Sequence, residues 1–424
     1  MLILFGTLAL LLVIGMPVAL SLAAASLMFL LLESSIPPVV VAHRMINGVD
    51  SFPLLAVPFF ILAGNLMNHG GITDRIFNFA KALVGWMHGG LGHVNVGASV
   101  LFAGMSGAAV ADAGGLGTVE IKAMRESGYD GNFAVGITAA SSTIGPLIPP
   151  SLPLVVYGVV SSTSIGQLFA AGLLPGLLMA VALMIMVAWY ARVRGYGRDA
   201  KFAWTVLWQT FKRAFLSLLT PVIIVGGILA GLFTPTEAAI AACAYALVLG
   251  SVVYRTLDLR KIKAISLDTI ETTAIVLFIV AGASIFSWIL TSNQVTEMVA
   301  DIILGQTQNV FLVLLLINLV LLVVGLFMEP VAAITILTPV LLPLVTSLGV
   351  DPVHFGIMMT LNLMLGLLTP PVGIVLYVLA RVADISFESA VRATAPFLIP
   401  LVIVLLLITY VPAVSMWLPE LLYR

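Results

Sequence analysis

Long apolar runs separated by short polar breaks make up most of the chain. A run of about 20 apolar residues is enough for a helix to cross the ~30 Å hydrocarbon core of a bilayer. The pattern predicts helical spans at about 2–16, 17–33, 53–69, 132–160, 165–191, 214–232, 236–255, 267–291, 353–380 and 391–416. The first two meet at Met16-Pro17, which leaves open whether residues 1–33 form one span or two. Two further apolar regions, 89–127 and 309–348, are interrupted near their middle by Gly, Ser or Pro, as a hairpin that enters the membrane and turns back would be. The stretch Ile72–Val84 reads differently. Ile72, Ile76, Phe79, Ala80 and Leu83 share one helical face, while Asp74, Arg75, Asn78 and Lys81 share another, which predicts an interfacial arm. Residues 295–304 stand in the corresponding place before the second interrupted region.

That correspondence extends to an internal repeat. Gly145-Pro-Leu-Ile-Pro149-Pro150 aligns with Gly366-Leu-Leu-Thr-Pro370-Pro371 at a shift of 221 residues. At the same shift Gly104 meets Gly325, Ala111 meets Ala332, Gly128 meets Gly349 and Asp130 meets Asp351. With 89–127 and 309–348 as hairpins, five full spans lie between them. An odd number places the hairpins on opposite faces, so the halves form an inverted-topology repeat, a recurring plan of secondary transporters. The expected fold is an all-α polytopic membrane protein with two re-entrant helical hairpins, divided into elevator-type scaffold and transport domains. The first half comprises scaffold 1–69, arm 70–88, transport segment 89–160, and scaffold helix with basic connector 161–213. The second comprises scaffold 214–291, arm 292–308, transport segment 309–380, and a terminal scaffold helix 381–424.

Charge then sets the orientation. Residues 192–213 carry Arg192, Arg194, Arg198, Lys201, Lys212 and Arg213, and the loop near 255–263 carries Arg255, Arg260, Lys261 and Lys263; together these are ten of the 18 Lys and Arg residues. The positive-inside bias makes both stretches cytoplasmic and both termini extracytoplasmic. Trp204, Trp208 and Phe211, at helical spacing, suggest that 202–213 lies along the interface. Only 9% of the residues are charged, against about 25% in soluble domains, and the mean hydropathy is +1.19. The net charge of −1 argues against a nucleic-acid partner, and the single cysteine, Cys243, excludes a disulfide framework. No Walker G-x-x-x-x-G-K-[ST] or H-E-x-x-H motif occurs, so neither a nucleotide-driven pump nor a zincin is indicated. The apolar start lacks the basic n-region and cleavage site of a signal peptide and reads as a retained span.

Irregular backbone survives in a membrane only where protein or a water-filled cavity covers it. Each half breaks its helices twice, at a hairpin tip (Gly104-Met-Ser-Gly-Ala108; Gly325-Leu-Phe-Met-Glu-Pro330) and at a Pro-Pro segment. Proline removes donors and frees carbonyls near Gly145 and Gly366, and free carbonyls are hard oxygen ligands suited to Na⁺. The broken helices also leave positive N-terminal ends that suit a carboxylate. A proline kink or a close glycine-mediated crossing is the competing structural explanation. Ser106, Ser141, Ser142, Thr143 and Asn362 are the candidate substrate-facing polar groups, and Thr369 lies beside the second break. Asp112 and Glu329, near the two tips, suit either helix N-terminus complementation or ion binding.

Ser106-Gly-Ala-Ala-Val-Ala-Asp112, Gly128-Tyr-Asp130, Thr138-Ala-Ala-Ser-Ser-Thr-Ile-Gly-Pro-Leu-Ile-Pro-Pro-Ser151 and Leu368-Thr-Pro-Pro-Val-Gly373 resemble the large membrane subunit of the tripartite ATP-independent periplasmic (TRAP) transporters. The likeness spans essentially the whole chain. It implies an elevator transporter of the bacterial inner membrane with two Na⁺ sites and no nucleotide or organic cofactor. One site would involve Ser106, Ala108, Gly145, Ile148 and Pro150, and the other Gly325, Gly366, Thr369 and Val372. Ala108 and Ala109 stand where the family often has small polar residues, which favours backbone carbonyls as ligands there. The resemblance further implies a small four-helix membrane subunit, expected as a separate chain, a periplasmic substrate-binding protein, and a carboxylate substrate such as a C4-dicarboxylate or sialic acid. A single-component Na⁺/dicarboxylate symporter is the alternative, with a membrane-embedded enzyme or a channel as further readings.

Overall fold

The computed structural model describes residues 1–33 and 36–423, without the side chains at 104–106, 296, 299, 300, 304 and 306. The described residues are helical almost throughout, as lipid demands when every backbone group must be paired within its own segment. Among the described residues seven helices are long and apolar enough to cross a membrane, and they are accompanied by shorter apolar helices.

The first half runs α1 (Leu2–Val13), α2 (Val18–Glu33), α3 (Val39–Val49), α4 (Ala56–His69) and the arm α5 (Ile72–Val84). There follow α6 (Gly90–Ser106), α7 (Ala109–Gly114) and α8 (Leu116–Glu126), then α9 (Gly131–Ser142), α10 (Leu152–Ser161) and α11 (Ile165–Arg194). The second half opens with α12 (Trp204–Pro221), which passes through a π-helical turn at Val222–Gly226 into α13 (Gly227–Leu229). Next come α14 (Pro235–Val248), α15 (Leu259–Ser292) and the second arm α16 (Val295–Gln306). α17 (Val310–Gly325), α18 (Pro330–Ser347), α19 (Pro352–Gly366), α20 (Ile374–Ala383), α21 (Phe387–Tyr410) and α22 (Ala413–Leu422) complete the chain.

Equivalent residues do equivalent work in the two halves. Gly128 and Gly349 both have positive φ, +82° and +80°. Asp130 caps α9 by accepting from Asn132 N (3.1 Å), and Asp351 caps α19 by accepting from Val353 N (2.7 Å). The Pro149-Pro150 and Pro370-Pro371 peptides are both cis. The halves also interlock. α10 packs on α18, α20 packs on α7, and Tyr157 of α10 donates to Pro352 O at the start of α19 (2.6 Å). Every residue of α19 from Val353 to Gly366 is buried, as expected of a helix that is apolar on all sides.

Residues 1–33 form two helices, divided by Gly15 with φ +88° and by Pro17, which answers the question left open at Met16-Pro17. Three expectations change. α3 was not anticipated. Its 11 residues are too few to span, and in the second half the equivalent segment is the first part of the 34-residue α15. The segment 202–213 is no separate surface element, because it continues without a break into the span predicted at 214–232. Finally, Arg260, Lys261 and Lys263 belong to the first turns of α15, whose cap Asp258 accepts from Lys261 N (2.7 Å), so the basic loop is shorter than 255–263.

Candidate functional site

At the first tip α6 ends at Ser106, Gly107 turns the chain with φ +61°, and Ala108 is extended before α7 begins. Gly107 sits against the Pro-Pro break of its own half. Its carbonyl accepts from Leu152 N (3.4 Å), and a Cβ there would stand 2.5 Å from Pro150 O. Ser151 shapes the far side of the break by capping α10 through Leu154 N (3.2 Å) while its hydroxyl donates to Pro146 O. Among the described residues the carbonyls of Gly145, Ile148 and Pro150 accept no backbone or side-chain hydrogen bond. The Ile148 side chain faces Gly176 of α11, so this residue has only its carbonyl to offer. Ser106 was assigned to this site and to substrate, but its side chain lies outside the described residues.

The second tip also meets the break of its own half, through a different pair of residues. A Cβ on Gly366 would lie 2.5 Å from the carbonyl carbon and oxygen of Gly325, so the two backbones touch. Thr369 N donates to Gly366 O (3.0 Å), and the Thr369 hydroxyl donates to Leu365 O (2.6 Å), which leaves its lone pairs available. Val372 precedes Gly373, whose φ of +52° starts α20. Glu329 caps α18 by accepting from Ala332 N (3.2 Å).

The other substrate candidates, Ser141, Ser142, Thr143 and Asn362, are fully buried. Ser142 and Thr143 donate to Ala139 O (2.8 Å) and Ala140 O (2.6 Å), the backbone bonding usual for hydroxyls in apolar helices. Ser141 and Asn362, 221 residues apart, each tie a broken helix to its hairpin. Ser141 Oγ donates to Asn95 Oδ1 (2.7 Å), and Asn362 Nδ2 donates to Asn318 Oδ1 (2.7 Å). Ser141 and Asn362 thus hold each broken helix against the first helix of its hairpin.

Two features escaped the sequence reading. One is a buried polar cluster behind the first tip. Asn95 Nδ2 donates to Glu120 Oε2 (2.6 Å) and Thr138 Oγ1 (2.7 Å), while neither oxygen of Asp112 has a hydrogen-bond partner among the described residues. Asp112 stands in the first turn of α7 but makes no cap hydrogen bond there. The other is a polar cleft of about 440 Å³ between α4 and the first hairpin, lined by Asn65, Asn68, Thr73, Ala111 and Thr118. Its volume falls within the range of small-molecule pockets. Asp112, Ser141 and the asparagines scattered through apolar helices were the sequence signals for these features.

Two hairpins and two interrupted helices, paired tip to break within an all-helical bundle, define a polytopic membrane transporter fold. The solved Alcanivorax borkumensis YdaH transporter, described as having an unusual topology, shares it with a TM-score of 0.61, at 15% identity, over 90% of this chain and 89% of that one. The chain belongs to the DctM component family of the tripartite ATP-independent periplasmic transporters, which it matches over residues 5–414. It is a large permease subunit of that transporter type. It is 54% identical to the sialic acid TRAP transporter large permease protein SiaM of Vibrio cholerae, covering 98% of this chain and 97% of that protein. It is 45% identical to the sialic acid TRAP transporter permease protein SiaT of Haemophilus influenzae, over 96% of this chain and 66% of the longer relative.

Proposed function

We propose that this chain is the large permease of a Na⁺-driven TRAP transporter that imports sialic acid across the bacterial inner membrane. The observation that carries the substrate is the 54% identity, over nearly the full length of both chains, to a permease named for sialic acid. The 440 Å³ cleft, where Asn65, Asn68, Thr73 and Thr118 stand beside His69 and Asp74, supports it, since amide and hydroxyl groups suit a polyhydroxylated acid better than a small dicarboxylate. The tip-to-break contacts support two Na⁺ sites. Ser106, Ala108, Gly145, Ile148 and Pro150 would hold one ion, and Gly325, Gly366, Thr369 and Val372 the other, mainly through carbonyl oxygens that fit a hard cation.

In this reading segments 89–160 and 309–380 enter from opposite faces and move together as an elevator against the remaining helices. Na⁺ neutralises the backbone dipoles at both breaks and couples ion entry to substrate entry. A small membrane subunit and a periplasmic substrate-binding protein complete the system. The test is uptake into proteoliposomes holding the chain with both partners. Labelled sialic acid should accumulate only with an inward Na⁺ gradient and a loaded binding protein, without ATP. Undiminished uptake in Na⁺-free buffer contradicts ion coupling. Uptake without a binding protein points instead to a single-component symporter, and preferential uptake of a C4-dicarboxylate refutes the substrate.

A further inference from the structure

A groove of about 930 Å³ opens between the arm α5 and the start of α12, away from both tips. Five cations line it, Arg75, Lys81, Lys201, Lys212 and Arg213, against one acid, Asp74. None of the five makes a salt bridge among the described residues. Arg75 is fixed in place, with its guanidinium 3.6 Å from the Tyr254 ring centroid and its Nη1 donating to Gly71 O (2.5 Å). The connector before α12 is also anchored, since Ala200 N donates to Gly85 O (3.1 Å) and Leu91 N to Asp199 Oδ2 (2.8 Å). This sets Lys201 at the rim.

Aromatic rings run along the same level. Trp86 meets Phe202 at 6.0 Å, Phe202 meets Trp204 at 5.1 Å, and Phe211 bridges Phe79 of the arm (5.8 Å) and Trp208 (5.6 Å). Trp204 and Trp208 remain 74% and 57% exposed. Tryptophan concentrates at headgroup depth, where one edge is wet and the other apolar. The groove also has apolar walls, to which Val206, Leu216 and Val253 contribute. A soluble anion would satisfy the cations and leave those walls in water, whereas a lipid satisfies both.

We propose that this groove binds the phosphate headgroup of an anionic phospholipid, with the acyl chains against the apolar walls. Clusters of Lys and Arg beside membrane helices recognise such headgroups electrostatically. A bound phosphate joins Lys81 of the arm to Lys212 and Arg213 of α12, so the lipid ties the arm to the helix beside it.

Native mass spectrometry of the purified, delipidated chain, titrated with cardiolipin or phosphatidylcholine, tests this. Cardiolipin should bind and phosphatidylcholine should not. Each cation near an anionic headgroup contributes about fivefold, so the triple variant Lys81→Gln/Lys212→Gln/Arg213→Gln should lose on the order of 100-fold in cardiolipin affinity. The charge-retaining Lys81→Arg/Lys212→Arg variant should keep it. Should the triple variant fail to fold, Lys81→Gln and Arg213→Gln singly should each lose about fivefold. Equal binding of both lipids, or unchanged cardiolipin affinity in the Gln variants, overturns the proposal. Displacement of cardiolipin by inorganic phosphate also overturns it and makes the groove a soluble-anion site.

Discussion

Thr369 shows how one side chain distinguishes the two halves. Its counterpart 221 residues earlier is Ile148, which has no oxygen beyond its carbonyl. The Thr369 hydroxyl uses its proton on Leu365 O (2.6 Å), so it can face a cation with a lone pair. Losing such a partner in a buried site costs about 1–3 kcal/mol, roughly five- to 150-fold in ion affinity. Thr369→Ala should therefore raise the Na⁺ concentration for half-maximal uptake by that factor with expression unchanged, and Thr369→Ser should be mild. An unchanged Na⁺ dependence in Thr369→Ala would reduce the Pro-Pro segment to a packing kink. Gly366 tests the adjoining contact. Its added Cβ would meet the Gly325 backbone at 2.5 Å, and backbone cannot swing aside. Gly366→Ala should lower the thermal stability of the purified protein by about 1–3 kcal/mol, the usual cost of overpacking, and weaken its stabilisation by Na⁺. Stability and Na⁺ response both like the wild type would mean that the tip and the break separate without cost.

The helices are set by signals of different visibility. Asp130, Ser151 and Asp351 precede α9, α10 and α19 and cap them through backbone N–H groups, an arrangement readable from residue type and position. Glu329 was ambiguous in the sequence because an acid in a hairpin tip can serve an ion or a helix end. Its bond to Ala332 N makes it the cap of α18. Glu329→Gln, which keeps an acceptor, should preserve uptake and stability, whereas Glu329→Ala should cost about 1 kcal/mol of thermal stability. If Glu329→Gln abolishes Na⁺-driven uptake in a stable protein, the carboxylate acts on the ion. α3 was missed because hydropathy registers length, and 11 residues are too few to register as a span. The boundary at 213 was misplaced because a change from amphipathic to apolar composition does not by itself end a helix; α12 continues through it.

At the scale of the whole molecule, the proposed elevator requires the first hairpin to slide past α4. A Cβ on Gly115 would lie 3.2 Å from Asn68 Oδ1 across that boundary. Asn68→Cys with Gly115→Cys, in a Cys243→Ala background, should form a disulfide that stops uptake and releases it on reduction. Full uptake by the oxidised, cross-linked protein would exclude relative motion at this boundary. The orientation is tested separately. A cysteine at position 198 should react with an impermeant reagent only from the cytoplasmic side, and labelling from outside would invert the topology.

Local chemistry was enough to fix the helical class, the two-half plan and the four breaks. Apolar length, proline and glycine act on the residues that carry them, and the repeat left Gly128/Gly349 and Asp130/Asp351 performing the same tasks in both halves. The assignment of the polar residues depended on tertiary structure. A serine in an apolar helix can face a cavity, its own backbone or a neighbouring helix at nearly equal local energy, so packing alone decides. Packing placed Ser141 on Asn95 and Asn362 on Asn318, closed the breaks onto the tips, and left the cleft beside Asn65 and Asn68 open. The groove of five cations likewise exists only because folding brings the arm at 72–84 beside residues 201–213, more than a hundred positions away.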